Sequence, residues 1–187
     1  PPRSTLFPYT TLFRSNRNQP MSKKEIESYL KETLGAERVL WLNYGYLSGD
    51  DTDSHIDTLA RFCDESTIAY VKCEDINDEH YQELKAMELE LKSFVAYNGK
   101  PYKLIPLPMA DPVYDNNHRL PGTYANFLII NDAVLVPFYN SSKDEVAKHQ
   151  LQKAFPNREV IGINSIPLIK QHGSIHCITM QYPEGFL

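Results

Sequence analysis

Apolar residues recur along this chain at two intervals, and the switch between the intervals is itself periodic. Ser22-Lys-Lys-Glu25 has the spacing of a capping box, and Ile26, Tyr29, Leu30 and Leu34 follow at helical intervals until Gly35. Residues 38–43 read as a short apolar strand. Residues 57–64 and 67–72, rich in Ile, Val, Tyr and Phe, read as two strands joined at Asp64-Glu65-Ser66. Residues 77–94 return to the helical period, with Leu84, Met87, Leu91 and Phe94 on one face. Residues 102–107 form a further strand that Pro106, Pro108 and Pro112 break into a loop.

The same order then repeats. Residues 125–130 and 133–138 make a hairpin-like pair around Asn131-Asp132, and Ser142-Lys-Asp-Glu145 opens a second capping box. Ala147, Leu151, Ala154 and Phe155 form the apolar face of that helix, Pro156 stops it, and residues 159–163 are the closing strand. Strand, strand, helix, strand thus occurs twice. The preceding helix–strand pair has the form of the tail of a third copy, and residues 174–182 begin a further one. A supersecondary unit of this size cannot bury its apolar face alone and stacks on neighbours. The expected fold is therefore α/β, a slice of a ring built from ββαβ units.

The opening residues stand apart from this pattern. Thr5 to Ser15, TLFPYTTLFRS, reads codon for codon as the translation of a sequencing-adapter oligonucleotide. Residues 1–15 are accordingly expected to be a non-native segment, and residues 16–187 to be the C-terminal part of one domain. The whole sequence carries 19 Lys and Arg against 24 Asp and Glu, a formal charge of −5. Arg3 and Arg14 lie in the opening segment, so residues 16–187 are near −7. There is no basic stripe to follow a nucleic acid, and an acidic field favours a cationic ligand. No apolar run approaches the ~20 residues that cross a bilayer. Three cysteines without a CxxC spacing point to a reducing compartment, hence a cytoplasmic location, rather than to a disulfide framework.

Two stretches carry candidate chemistry. Gly49-Asp-Asp-Thr-Asp-Ser-His55-Ile-Asp57 packs four carboxylates and a histidine into nine residues just ahead of a strand. On a strand His55 and Asp57 would point to one side and address one ligand, with Asp51 and Asp53 alongside. A solvated acidic loop or an oxygen-ligand cation site fits the same residues, although the Gly and terminal Glu of a calcium loop are missing. The second stretch is Gly173-Ser-Ile-His176-Cys177-Ile-Thr-Met. A cysteine opening a β-type run after a glycine turn suits a nucleophile, and equally a small buried core residue. Cys63 and Cys73 lie in or beside apolar strands and read as packing. His176 would face away from Cys177 on a strand and reads as structural, and His80, His118, His149 and His172 show no evident partners.

Asp-Thr-Asp-Ser-His55-Ile-Asp57-Thr-Leu-Ala-Arg-Phe, Tyr124-Ala-Asn126-Phe, Ile175-His176-Cys177-Ile-Thr-x-Gln181 and Asn16-Arg-Asn-Gln-Pro-Met-Ser together resemble, in matching order, motifs of the agmatine deiminase and Porphyromonas-type peptidylarginine deiminase family. The resemblance implies a pentein-type α/β propeller, five-bladed when complete and with roughly three blades here. It implies guanidine hydrolysis of agmatine to N-carbamoylputrescine and ammonia, a step of putrescine biosynthesis, without cofactor or metal. Cys177 would be the nucleophile and His55 the acid/base, with Asp57, Asp51 and Asp53 toward a small cationic guanidino substrate. Arginine, free or in protein, is the neighbouring substrate, and a non-catalytic pentein binding module is the rival of another class. A homo-oligomer stays open. The chain departs from the family where Gln171-His172-Gly173-Ser174 replaces a glycine triplet and Asn. It also lacks the region that supplies the family's other guanidinium-binding carboxylate, so this stretch by itself is expected to be inactive.

Overall fold

The computed structural model describes residues 4–8 as backbone, 21–50, 55–180 and 182. Two three-stranded sheets form its centre, and they share one construction. In the first unit β3 (Ala60–Phe62) runs antiparallel to β4 (Thr67–Lys72), α2 (Tyr81–Ser93) crosses over, and β5 (Lys103–Pro108) lies parallel to β4. In the second, β8 (Leu128–Ile129) is antiparallel to β9 (Ala133–Phe138), α3 (Asp144–Ala154) crosses over, and β10 (Glu159–Asn164) lies parallel to β9. The expected repeat is present as two ββαβ units of identical strand order. A small hairpin, β6 (Tyr114–Asp115) with β7 (His118–Arg119), sits between them.

The middle strand of each unit is buried on both faces, which explains its nearly unbroken apolar run. Thr67 to Val71 are all buried, as are Val134 and Val136. Helices α2 and α3 supply Leu84, Met87 and Leu91, and Ala147 and Leu151, to one continuous core. Each helix also leaves its own sheet: α2 packs on β2 (Arg38–Leu42) as well as β4, and α3 on β5 as well as β10. One unit's helix therefore covers the closing strand of the unit before it, as stacked repeats require.

Ahead of the first unit, α1 (Lys23–Leu34) and β2 form the expected helix–strand pair. Ser22 and Glu25 close a reciprocal capping box, with Glu25 N–H to Ser22 Oγ at 3.3 Å and Ser22 N–H to Glu25 Oε2 at 2.7 Å. Gly35 ends the helix at φ 65°. Ile26 packs with Val39 and Trp41 in a small cluster of its own. The backbone of β1 (Ser4–Pro8), within the stretch that reads as adapter, pairs parallel with β2.

Three expectations fail locally, each for a visible reason. The second capping box does not form, because the Ser142 hydroxyl and N–H both turn to Asp111, at 3.1 and 2.9 Å. Asp144 instead takes up Tyr139 N–H, Ser141 N–H and the Tyr124 hydroxyl, at 3.1, 3.2 and 2.6 Å. Helix α2 starts at Tyr81 rather than near 77, because Asp78 accepts the His80 N–H and holds residues 78–80 as a turn. Residues 174–182 do not open a strand: a single turn α4 (Ile166–Ile169) is followed by a 3₁₀ turn at His176–Ile178. Among the described residues no helix is long and apolar enough to cross a membrane.

Leu151 is fully buried on the face of α3 that meets both units. Leu151→Ala should cost about 2–5 kcal/mol of unfolding free energy, read from urea titration. A loss below about 1 kcal/mol would mean that this helix is not part of the shared core.

Candidate active site

Asp57 does not lie on a strand. It sits in a 3₁₀ turn, Ile56–Thr58, that leads into β3, with His55 at the turn's entrance in extended conformation. Thr58 fastens the turn: its hydroxyl bonds the His55 carbonyl at 2.6 Å and Asp50 at 2.8 Å. At three residues per turn, positions two apart point in different directions, so the expected same-side placement of His55 and Asp57 is replaced by a turn geometry. His55 is exposed, and its charge still acts on Asp57. Asp51 and Asp53 lie outside the described residues.

Asn126 precedes β8 in the second unit much as Asp57 precedes β3 in the first. Its side chain is 1 % exposed and serves both ends of the site. The amide nitrogen donates to Asp57 Oδ2 at 2.9 Å and to Cys177 Sγ at 3.2 Å. The amide oxygen accepts His176 N–H at 2.9 Å and Cys177 N–H at 3.4 Å. A primary amide offers donors on one arm and an acceptor on the other, which a carboxylate could not do beside Asp57.

His176 is the clearest correction. In the 3₁₀ turn it does not alternate away from Cys177; its Nδ1 meets Asp57 Oδ2 at 2.6 Å. Cys177 is exposed, with its sulfur 3.7 Å from the same oxygen. The described structure therefore brings Asp57, Asn126, His176 and Cys177 into mutual contact, from two repeat units and the segment after them. Two other histidines also prove partnered. His80, fully buried, bonds Asp78 at 2.5 Å and accepts Ser48 N–H at 3.0 Å beneath Tyr46. His172, at φ 65°, donates to the Gly49 carbonyl at 3.3 Å. Cys63 and Cys73 pack in the core as expected, and burial pushes the Cys63 thiol up to about 12.

The electrostatics follow from burial and neighbours. Burial alone would raise the Asp57 carboxyl, but the His176 hydrogen bond and charge, with Arg61 and His55 beyond, outweigh it and hold it below the usual carboxylate range. Arg61 is a half-buried cation beside the site. Its guanidinium bonds the Phe127 carbonyl and lies over the Phe127 ring, 4.7 Å from the centroid. Burial pushes the Cys177 thiol up and the Asp57 charge adds to this, against donors from Ser174 and Asn126 that favour the thiolate. Burial and the Asp57 charge thus favour the thiol form, while the Asn126 amide donates to its sulfur. No three His, Cys, Asp or Glu side chains among the described residues are grouped to hold a metal ion. A cavity of about 510 Å³ lined in part by Ser48, Gly49, Arg119, Lys170 and His172 is separate from the site, since Asp57, Asn126, His176 and Cys177 do not line it.

A thiol, a carboxylate and an imidazole converging on the entry segments of repeated ββαβ units define a mixed α/β repeat protein with a cysteine-centred polar site. The sequence profile of the family described as Porphyromonas-type peptidyl-arginine deiminase matches residues 4–183, and the chain belongs to that family. A Marinomonas sp. (strain MWYL1) protein provisionally named as an agmatine deiminase is 36% identical, over 94% of this chain and 53% of its own length. Among solved structures, a Porphyromonas gingivalis protein provisionally titled arginine deiminase is 59% identical at a TM-score of 0.92, covering 97% of this chain and 54% of that one. C. jejuni agmatine deiminase, solved as a cysteine-to-serine variant with substrate bound, is 44% identical at a TM-score of 0.84, covering 91% and 50%. The chain spans about half the length of the curated relatives it matches.

Because Asp57 is held low in the folded state, its contribution to stability is fully present above its unfolded value, near ~3.9. That contribution is lost as pH falls through the lower folded value. Asp57→Asn should therefore lower stability at pH 7 and flatten the acid limb of the stability–pH profile below about pH 4. An unaltered acid limb in denaturant titrations would contradict the assigned contact with His176.

Proposed function

We propose that the whole protein to which this chain belongs hydrolyses the guanidinium group of agmatine, giving N-carbamoylputrescine and ammonia. The observation that carries this reading is the convergence of Cys177 Sγ, Asp57 and His176 on one buried amide, Asn126. A guanidinium is a planar cation, and a carboxylate held ionised beside the thiol suits its N–H groups. The same cation would lower the thiol's raised pKa on arrival, so nucleophile and substrate ionise to match one another.

In this mechanism Cys177 gives its thiol proton to solvent as the cation binds, and the thiolate attacks the guanidinium carbon and forms the C–S bond. The C–N bond breaks, and His55 gives its proton to the departing ammonia, leaving an S-alkylthiouronium. His55 then takes a proton from water, which adds to the same carbon. Cleavage of the C–S bond returns the thiol and releases the ureido product. His176 keeps Asp57 oriented and ionised throughout. The second guanidinium-binding carboxylate is expected from the part of the protein outside this chain, so this chain alone should release no ammonia. A cytoplasmic location and a place in putrescine biosynthesis accompany the reading. The α/β propeller of five units would supply the remaining walls of the site.

A second reading, arginine in free or peptide form, is favoured by the family's own description and by the P. gingivalis structure. Ammonia release by the full-length protein from agmatine, arginine and an arginine peptide separates the two. Agmatine should give the highest kcat/KM, and Cys177→Ala should lower it by a factor on the order of 10³ or more. Preference for arginine would replace the first reading with the second, and no turnover of any of the three would end both.

The two histidines near Asp57 divide the roles testably. His55→Gln should abolish turnover to the same degree as Cys177→Ala. His176→Gln should cost roughly ten- to a hundredfold, the loss of one charge-assisted hydrogen bond. The reverse ranking would make His176 the acid/base.

A further inference from the structure

Below the site, four buried residues join its two halves. Tyr139, directly after β9, places its phenol oxygen 3.0 Å from the Thr123 carbonyl and 3.0 Å from Ser174 Oγ. The phenol hydrogen goes to the carbonyl, which accepts only, so the Ser174 hydroxyl donates to the phenol oxygen. The Thr123 hydroxyl donates to the Thr58 carbonyl at 2.8 Å, and the Thr58 hydroxyl holds the His55 carbonyl at 2.6 Å. Ser174, Tyr139, Thr123 and Thr58 are all more than nine-tenths buried. One end of this ladder is the turn that carries His55 and Asp57. The other is the loop that carries Cys177.

We infer that Tyr139 is a positioning residue for the nucleophile, holding Ser174 so that the loop before Cys177 presents its backbone to the sulfur. This rests on Cys177 as the nucleophile of the proposed reaction. The loop is close against the cysteine: a Cβ added to Gly173 would lie 3.0 Å from Cys177 Cβ and 3.7 Å from Sγ. Gly173 and Ser174 thus carry the loop backbone up to the cysteine, where the Ser174 N–H acts in favour of the anionic sulfur. A serine hydroxyl is short enough to be fixed from below by the phenol while its own N–H stays toward the thiol.

The test is alkylation of the full-length protein by iodoacetamide, followed peptide by peptide by mass spectrometry, with no guanidine substrate present. Buried Cys73 serves as the folding control within each molecule. Ser174→Ala and Tyr139→Phe should each slow Cys177 alkylation roughly three- to tenfold at pH 7, the effect of one lost hydrogen bond. Each should also move the pH midpoint of that reaction upward. The double variant should be no slower than either single one, and Ser174→Thr should restore most of the rate. Cys73 should stay protected in all four. Unchanged Cys177 alkylation in Ser174→Ala would overturn the proposal. So would exposure of Cys73 in that variant, since it would make the ladder a folding element and not a positioning one. Because no substrate enters the assay, its outcome stands apart from whether agmatine is turned over.

Discussion

One buried amide decides whether this chain has a site at all. Asn126 faces a carboxylate and a sulfur with its nitrogen, and two successive backbone N–H groups with its oxygen. Removing it would take a partner from Asp57 and from two peptide groups in a half-buried site, where a missing partner costs up to about 1–3 kcal/mol. The arrangement also explains why the nucleophile segment adopts a 3₁₀ turn. Successive N–H groups in such a turn can share one acceptor, whereas on a strand they diverge to opposite sides.

The fold places that amide through its repeats. Asp57 and Asn126 both come from the segment entering the first strand of a ββαβ unit, so stacking two units brings the two entry segments side by side. Arg61 lies four residues beyond Asp57 in β3, Phe127 directly follows Asn126 just ahead of β8, and their contact fastens the units where the site needs them in register. The half-buried guanidinium is spent twice, as a clamp on the neighbouring carbonyl and as the charge that helps keep Asp57 ionised. Gly49 shows the same tolerance from the other side. At φ 87°, any Cβ there would come 2.5 Å from the Arg119 carbonyl, so the backbone at Gly49 lies against the inserted hairpin with no side chain between them.

Much of this was legible in the sequence, for reasons that differ by element. The double ββαβ order follows from apolar periodicity alone, because β4 and β9 are buried on both faces and α2 and α3 on one. The α1 capping box reads correctly because Ser22 has no competing partner, while the identical spacing at Ser142 fails because Asp111, thirty-one residues away, takes the hydroxyl. Asp57 and Cys177 are visible as residue types, but their geometry is not. Both were assigned to strands, and both sit in 3₁₀ turns fixed by tertiary bonds. His176 was misjudged through that assignment. Asn126, Arg61 and Tyr139 carry no local signal beyond a polar residue among apolar neighbours. Such a residue in a strand-entry segment is the hint that could have found Asn126.

Raising the Cys177 thiol pKa has a consequence for the chemistry that the site avoids. Peroxides and disulfides react with thiolate and far more slowly with thiol. An exposed cysteine with a lowered pKa would drift toward sulfenic acid or a mixed disulfide between turnovers. Here burial and the Asp57 charge both work against ionisation of the thiol. The same burial and charge therefore act against oxidative loss of the sulfur.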